Sequence, residues 1–295
     1  MMRFVLSILL FVVMLGCEPE PPLPAIVVYA PGGEESVLEQ TLKEFSSATN
    51  VPVVAVWGDS TKHTDQLISN ANDVTDILIT DNVADLMRAT EEGKLRPIGA
   101  AAFIDADPLL KDADRFWVAI DVRFHAIASA RRADGPLVES YDALASPDLQ
   151  GRLCLSSSKL HVNRSLMAML VNARGVKQTE RLVRSWVQNL AVSPFASEEE
   201  LIEAIRDGTC DYGITAWMPE QDDVAFFLPE GAYLDIDGIG VTRHARQPES
   251  AQKLVEWLLI NRSPSVDSEF ARQSVDTAGW NDEEASLLAE RAVYR

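Results

Sequence analysis

The chain has 295 residues, of which 47% are hydrophobic and 24% charged, with a formal net charge of −19 at pH 7. These fractions are typical of a globular protein and exclude a disordered chain. The acidic balance excludes a nucleic-acid-binding surface, which needs basic side chains, and fits either a solvated acidic face or a cleft that attracts cations.

The N-terminal segment has the pattern of a secretion signal. Met1–Arg3 carries one positive charge, and the apolar run Phe4–Leu15 is shorter than the roughly 20 residues that span a bilayer. The run ends in MLGC, which resembles a bacterial lipobox with Cys17 as the acylated residue. We expect a signal peptide over residues 1–16 and a lipid-anchored, proline-rich tether over residues 17–24. The alternative is an ordinary signal with an incidental cysteine. Either reading places the chain in the periplasm or at the cell surface.

Strand and helix patterns alternate after the tether. Buried strands are predicted from apolar runs at residues 25–30, 51–57 and 76–80. Helices are predicted from apolar stripes at residues 37–45 and 83–92. Such alternation predicts a mainly parallel sheet with helices on both faces.

The alternation restarts after a loop rich in Asp and Pro. Extended segments are predicted at residues 117–128, 151–155, 211–215 and 238–241. Helices are predicted at residues 165–174, 178–190, 197–208 and 251–260. Two α/β units in succession, with a ligand held between them, are the predicted architecture.

Cys154 and Cys210 remain once Cys17 is assigned to the lipid. An even pair in an oxidising compartment predicts a disulfide. Two buried free thiols are the alternative.

Sequence motifs of common enzymes are missing from the chain. There is no Gly-x-Ser-x-Gly elbow, no His-Glu-x-x-His and no phosphate-binding Gly-x-x-x-x-Gly-Lys. The four histidines, at positions 63, 125, 161 and 244, show no metal-ligand spacing. The sequence therefore predicts neither an enzyme nor a cofactor, with a Ser157–His161 dyad as the remaining enzymatic alternative.

Several segments follow one another in the order found in one protein family. They are Asp73–Ile98, Trp117-Val118 with Arg123, Cys154–Ser158, Asn163–Leu166, Asp207–Asp211 and Gly238–Ala245. Together they resemble the periplasmic ferric-iron-binding proteins of bacterial ABC importers. The serine-rich segment and Asp207–Asp211 are most similar to the cyanobacterial-type subgroup, with its Cys-x-x-Ser-Ser-Ser…Asn-x-Ser-Leu and Gly-x-Cys-Asp patterns.

The resemblance implies an α/β fold, the two-lobed type II solute-binding fold with its ligand cleft between the lobes. Lobe 1 would comprise residues 25–119 and 233–295, and lobe 2 residues 120–232. The implied function is that of a monomeric binding protein, which delivers a small-molecule or ion ligand to ABC permease subunits in the inner membrane. An alternative of another class is a ligand-sensing lipoprotein that acts with a membrane sensor kinase.

The ligating tyrosines of that family are not retained. The tandem tyrosines fall at Ala216–Pro219, the tyrosine of the serine-rich motif at Val162, and the Arg-His-Tyr at Gly32–Glu34. A hard trivalent cation needs anionic oxygen donors. We therefore expect a small anionic or organic solute and no metal site. The alternative is ferric iron with an accompanying anion, held by Tyr29, Glu34 and His161.

An anion site is expected between Arg123 and the turn formed by Ser156, Ser157 and Ser158. Arg123 matches the family's arginine that contacts the anion accompanying iron, and its planar fork suits carboxylate or carbonate. The serines precede a helix start, where backbone amides attract anions, and His161 lies alongside. The structural alternatives are a salt bridge between lobes for Arg123 and a plain helix-start turn for the serines.

Further ligand contacts are expected at strand ends and at the first turn. Trp217 and Tyr29 are expected to stack on an organic ligand or a quaternary amine, with core packing as their alternative. Glu34 is expected to hold a cation or a ligand amine, with stabilisation of the next helix as its alternative.

Overall fold

The structure is a computed structural model. It describes residues 24–32, 36–70, 74–131, 138–220, 222–229, 231–262, 264–266 and 275–295. The predicted signal peptide, residues 17–23 of the tether with Cys17, and Glu34 lie outside the described residues. Within them, no helix has both the length and the apolar character that crossing a membrane requires.

Ten strands are present in the described part of the chain. They are β1 (Ile26–Pro31), β2 (Val53–Gly58), β3 (Ile77–Thr80), β4 (Leu95–Arg96), β5 (Trp117–Phe124), β6 (Ala126–Ala130), β7 (Leu153–Cys154), β8 (Tyr212–Thr215), β9 (Val224–Phe227) and β10 (Leu234–Thr242). The sequence predicted most of these strands but missed β4 and β9.

The same residues contain nine α-helices. They are α1 (Val37–Thr49), α2 (Ser60–Ser69), α3 (Val83–Glu91), α4 (His161–Arg174), α5 (Val176–Gln188), α6 (Glu198–Asp207), α7 (Pro248–Arg262), α8 (Asp276–Trp280) and α9 (Asp282–Ala292). Helices α2, α8 and α9 were not predicted, and α4 begins four residues earlier than expected.

Local signals explain where the predicted helices begin and end. The Ser197 side chain accepts a hydrogen bond from the backbone of Glu200 and so caps α6. That helix ends at Gly208, whose φ of 82° is a left-handed conformation that glycine adopts without strain. These residues set the bounds of α6 through local contacts.

Two sheets divide the molecule into lobes. The first sheet has the order β2-β1-β3-β10-β4, with β5 also paired to β10, and defines lobe 1. The second has the order β7-β8-β6-β9 and defines lobe 2. Among the ten described strands, only the pairs β1–β2, β1–β3 and β7–β8 are parallel. The prediction of a mainly parallel sheet was therefore wrong, because β10 returns from lobe 2 and runs antiparallel to β3, β4 and β5.

The C-terminal helices link the lobes. The sequence assigned residues 233–295 to lobe 1, yet α9 packs on α4 and α5, while α8 contacts both α3 and α4. The apolar face of α9, including Leu288, is buried in the same cluster as Leu166 of α4. Burying this apolar face is favourable, so α9 packs on helices of lobe 2 although it follows lobe 1 residues in the chain.

The predicted disulfide is present. Cys154 and Cys210 are bonded, with their Cα atoms 5.9 Å apart. Both cysteines are buried in the cluster between α6 and the second sheet. The bond joins the end of β7 to the residues that precede β8.

Candidate functional site

A cleft with a volume of about 320 Å³ lies where the lobes meet. Lobe 1 contributes the segment after β3, the crossover strands β5 and β10 contribute one residue each, and lobe 2 contributes the starts of α4 and α6. The lining residues are Asp81, Arg123, Leu160, His161, Val162, Ser197, Glu198, Glu199, Trp217 and Asp235. Of the residues predicted to bind ligand, the structure brings Arg123, His161 and Trp217 together here.

Arg123 is held by two aspartates of the neighbouring strand. It lies opposite Asp235 in the β5–β10 register. Its guanidinium donates to Asp235 Oδ2 at 2.9 Å and to Asp237 Oδ1 at 2.8 Å, and reaches the carbonyl oxygen of Asp81 at 3.4 Å. Burial disfavours the charged form, but the two carboxylates outweigh it and raise the pKa of Arg123. Burial raises the pKa of Asp237 despite the guanidinium beside it.

His161 faces two carboxylates across the cleft. Its Nε2 lies 3.7 Å from Asp81 Oδ2 and 3.8 Å from Asp235 Oδ2. The His161 and Asp81 side chains are about one third exposed, whereas that of Asp235 is 1% exposed. The three groups therefore surround one point, where His161 and Asp81 are in contact with solvent and Asp235 is not.

Trp217 is held with its ring partly open to the cleft. It is 38% exposed, in contrast to the buried strand β8 that precedes it. Its backbone N–H donates to Thr215 Oγ1 at 3.0 Å, and that hydroxyl donates to Glu198 Oε1 at 2.8 Å. Glu198 also accepts from the backbone of Ala216 at 2.5 Å. The first turn of α6 thus fixes the turn that carries the indole.

The predicted serine turn is not part of this cleft. The Ser156 hydroxyl accepts from Asn163 Nδ2 at 2.8 Å, and Ser158 donates to the carbonyl of Tyr294 at 2.9 Å. The backbone N–H of Ser157 donates to Phe195 at 2.8 Å. Ser158 lines a separate cavity of about 510 Å³ beside the C-terminal helix. Tyr294 is buried against this turn, so the turn contacts the C-terminal residues. This arrangement fits the alternative of a plain helix-start turn without a ligand.

Tyr29 also lies away from the cleft. It is 6% exposed, stacks on His63 with ring centroids 4.6 Å apart, and accepts from Gln66 Nε2 at 2.5 Å. The hypothesis that it stacks on a ligand or ligates iron does not fit this burial. The structure places it in the core because α2, which the sequence did not predict, covers β1.

No tyrosinate set is available in this arrangement. All five tyrosines of the sequence are described and buried, and none lines the cleft. Across the described ranges, no group of three or more His, Cys, Asp or Glu side chains is placed to hold a metal ion. The predicted trio of Tyr29, Glu34 and His161 is thus not assembled, since Tyr29 is in the core and Glu34 lies outside the described residues.

The cleft carries an excess of negative charge. Four carboxylates line it, from Asp81, Glu198, Glu199 and Asp235, against the single guanidinium of Arg123. The sequence analysis missed Asp81 and Asp235. The sequence did contain a signal for Asp235. Asp235 and Asp237 are two residues apart on a strand, so their side chains point to the same side, where Arg123 contacts both.

Known proteins resemble the chain in sequence and in fold. The iron uptake protein A1 of Synechocystis sp. is 28% identical over 237 residues, which cover 73% of this chain and 66% of that protein, just under two thirds of its length. A Trichodesmium protein solved with iron and citrate superposes with a TM-score of 0.82 at 22% identity, covering 92% of this chain and all of that one. The apo ferric ion-binding protein A of Pasteurella haemolytica gives 0.82 at 20% identity, covering 92% and 98%.

The structural likenesses confirm the two-lobed α/β fold expected from the sequence. The profile described as "Bacterial extracellular solute-binding protein" matches residues 26–266, which is most of the chain. That family comprises solute-binding proteins and not enzymes. The chain belongs to the family of bacterial extracellular solute-binding proteins.

Proposed function

We propose that this chain captures a cation in the cleft between its lobes and delivers it to an ABC importer, with ferric iron as the first candidate. The observation that carries the proposal is the acidic lining of the cleft. Four carboxylates line it against one guanidinium, which is already paired with one of them, Asp235, and with Asp237 outside the lining. An unpaired anion in this place would meet repulsion at low effective dielectric, whereas a cation would be attracted.

The names of the relatives support iron as the cargo. The Synechocystis relative is called an iron uptake protein, and a Serratia marcescens relative, 20% identical, is called an Fe(3+)-binding periplasmic protein. Carboxylate oxygens suit such a cation. The described residues contain no group of three or more His, Cys, Asp or Glu placed to hold a metal ion, so the support for iron is the acidic lining and the relatives' names. His161 and Asp81 come from different lobes, so a cation between them would draw the lobes together. Iron would be cargo here and not a resident cofactor.

A second candidate is an organic cation, which the exposed indole of Trp217 favours. An ammonium group over an indole gains roughly 0.5–2 kcal/mol, and the facing carboxylates would add to it. Leu160 and Val162 give the same cleft an apolar side.

The N-terminal pattern supports a membrane anchor, and the family supports the role of a carrier. We propose that Cys17 bears the lipid and that the chain works as a monomer beside permease subunits of the inner membrane. A net charge of −19 opposes adsorption on anionic lipid, so acyl chains would provide the attachment.

A titration of the soluble domain with ferric nitrilotriacetate, choline and a panel of small anions tests the proposal. Iron per chain is counted by elemental mass spectrometry after desalting. Iron binding is expected without a visible tyrosinate charge-transfer band, because no tyrosine reaches the cleft. Asp81→Asn is expected to weaken the binding at least about tenfold, the scale of one charge-assisted contact.

Asp105→Asn is the matched control, since Asp105 is an exposed aspartate that does not line the cleft. Equal losses in both variants would contradict a role for the cleft. Tight binding of an anion, with neither iron nor choline bound, would refute the proposal that the solute is a cation.

A further inference from the structure

We infer that Glu198 and Trp217 form one subsite of the cleft, which recognises the ammonium group of an organic cation. Both residues line the cleft. In this subsite Glu198 fixes the turn that carries the indole through one carboxylate oxygen and offers the other oxygen to the ligand. The inference rests on the proposed function, because it takes a cation as the solute, and it assigns the specificity for an organic cation to one glutamate at the start of α6.

One carboxylate oxygen ties the turn after β8 to α6. Glu198 Oε1 accepts from the Thr215 hydroxyl at 2.8 Å and from the backbone N–H of Ala216 at 2.5 Å. The Thr215 hydroxyl has a single proton, and the charged carboxylate is a stronger acceptor for it than the Trp217 carbonyl, 3.1 Å away. The same hydroxyl accepts from the backbone N–H of Trp217 at 3.0 Å. The turn is therefore held to Glu198 both directly and through one hydroxyl.

The indole depends on these contacts for its position. Trp217 is 38% exposed and, within the described part of the chain, packs against none of the buried hydrophobic clusters. Ordering a large exposed side chain costs conformational entropy, which core packing does not offset at this position. We therefore expect the hydrogen bonds to Glu198 to determine where the indole lies in the cleft.

The second oxygen of Glu198 is left for a ligand. Among the described residues, both hydrogen bonds that this carboxylate accepts go to Oε1, and Oε2 has no partner. The start of α6 does not require the charge of Glu198, because Ser197 caps the helix and Glu199 and Glu200 are also acidic residues of its first turn. A carboxylate oxygen beside an exposed indole supplies the two contacts that an ammonium group prefers, a negative charge and an aromatic face.

The apolar part of the lining favours an organic cation in this subsite. Leu160 and Val162 line a cleft whose volume, about 320 Å³, suits a small organic molecule. The alkyl groups of such a cation would bury against these side chains and the indole, while its charge meets Glu198. A hydrated metal ion has no apolar surface to bury, so this part of the lining favours the organic cation over it.

Fluorine NMR of Trp217 tests the subsite directly. The soluble domain is prepared with fluorotryptophan, and the resonance of Trp217 is identified among those of the six tryptophans as the one lost in Trp217→Phe. The ligands are choline and its uncharged isostere, in which a tert-butyl group replaces the trimethylammonium group. We expect choline to shift the Trp217 resonance in a saturable way, and the isostere to bind at least about tenfold more weakly because it lacks the charge.

Two variants of Glu198 separate its charge from its hydrogen bonds. Glu198→Gln keeps an oxygen that can accept from the turn, so the Trp217 resonance of the ligand-free protein should match the wild type while choline affinity falls about tenfold. Glu198→Ala removes both contributions, so the ligand-free resonance should move and the saturable response to choline should be lost. Glu203→Gln is the matched control, since Glu203 lies on the same helix, contacts Arg206 at the surface and does not line the cleft. It is expected to behave like the wild type.

The outcomes distinguish this inference from the proposed function. An unchanged Trp217 resonance in folded Glu198→Ala would overturn the positioning role, and equal choline affinities in Glu198→Gln and wild type would overturn the role of the charge. Circular dichroism checks folding, and Glu198→Gln alone decides the assignment if Glu198→Ala does not fold. Wild type that binds iron but shows no response of Trp217 to choline would overturn the inference and leave the proposed function intact. Wild type that binds neither would overturn both.

Discussion

Replacing Arg123 by Met is expected to destabilise the fold through the carboxylates that it leaves behind. Methionine keeps most of the apolar stem, so packing is largely preserved. The guanidinium is lost, and with it charged hydrogen bonds of 2.9 Å to Asp235 and 2.8 Å to Asp237. Asp235 is then a buried carboxylate that has lost its guanidinium partner and keeps the imidazole of His161, 3.8 Å away, as a neighbour.

The magnitude follows from burial. Removing one partner of a buried ion pair costs about 3–5 kcal/mol. The Arg123 side chain is 29% exposed and that of Asp237 is 23% exposed, so solvent screens part of the charge. We therefore expect the lower end, a loss of about 3 kcal/mol in the free energy of unfolding at neutral pH. Because burial already raises the pKa of Asp237, protonation relieves its unpaired charge as the pH falls, and the deficit should shrink with falling pH.

Urea unfolding followed by circular dichroism measures this loss, with Arg206→Met as the matched control. Arg206 also contacts two carboxylates, of Glu203 and Asp223, but all three side chains are well exposed. Its substitution is expected to change the unfolding midpoint far less, because surface pairs are screened. Equal losses in the two variants, or a deficit at Arg123 that does not change with pH, would refute the reasoning.

Three further predictions concern the rest of the chain. Reducing the Cys154–Cys210 bond, whose cysteines are 56 residues apart, should lower the free energy of unfolding by about 4 kcal/mol; urea midpoints with and without reductant measure it. Burial raises the pKa of Tyr294 above its ordinary 10.0, so the folded chain keeps the proton and stability falls as the pH rises beyond that value. In Tyr294→Phe this alkaline fall should be shallower, as urea unfolding at increasing pH would show. Cys17→Ser should move the chain from the membrane fraction to the soluble fraction.

Each of these predictions has a contradicting result. Unchanged midpoints on complete reduction would show that the disulfide contributes nothing to stability. An equally steep alkaline fall in the Tyr294 variant would exclude that phenol as a source. Retention of the Cys17 variant in membranes washed at high salt would point to another anchor.

Local patterns in the sequence were sufficient for much of the fold. Ile77, Leu78 and Ile79 form an uninterrupted apolar run in β3, and α6 has its own start at Ser197 and its own stop at Gly208. Such signals depend on backbone preferences and on neighbours within one turn, so they can be read without the tertiary structure. The pairing of Cys154 with Cys210 was also predictable, because only two cysteines remained for it.

The site was only partly predictable. Arg123, His161 and Trp217 were identified from the sequence, and the structure places all three in the cleft. The partners of Arg123 were missed because Asp235 and Asp237 lie more than a hundred residues away, on a strand whose register the sequence does not reveal.

The sequence by itself determined which segments form strands and helices, and which side chains are chemically able to bind a ligand. Only the tertiary structure decided how those side chains are used. The C-terminal helix brings Tyr294 against Ser156 and so takes the serine turn out of the cleft, while β10 brings aspartates to Arg123. The physical reason is that a charge or a hydrogen-bond donor is satisfied by the nearest partner in space, and that partner is set by strand register and helix packing.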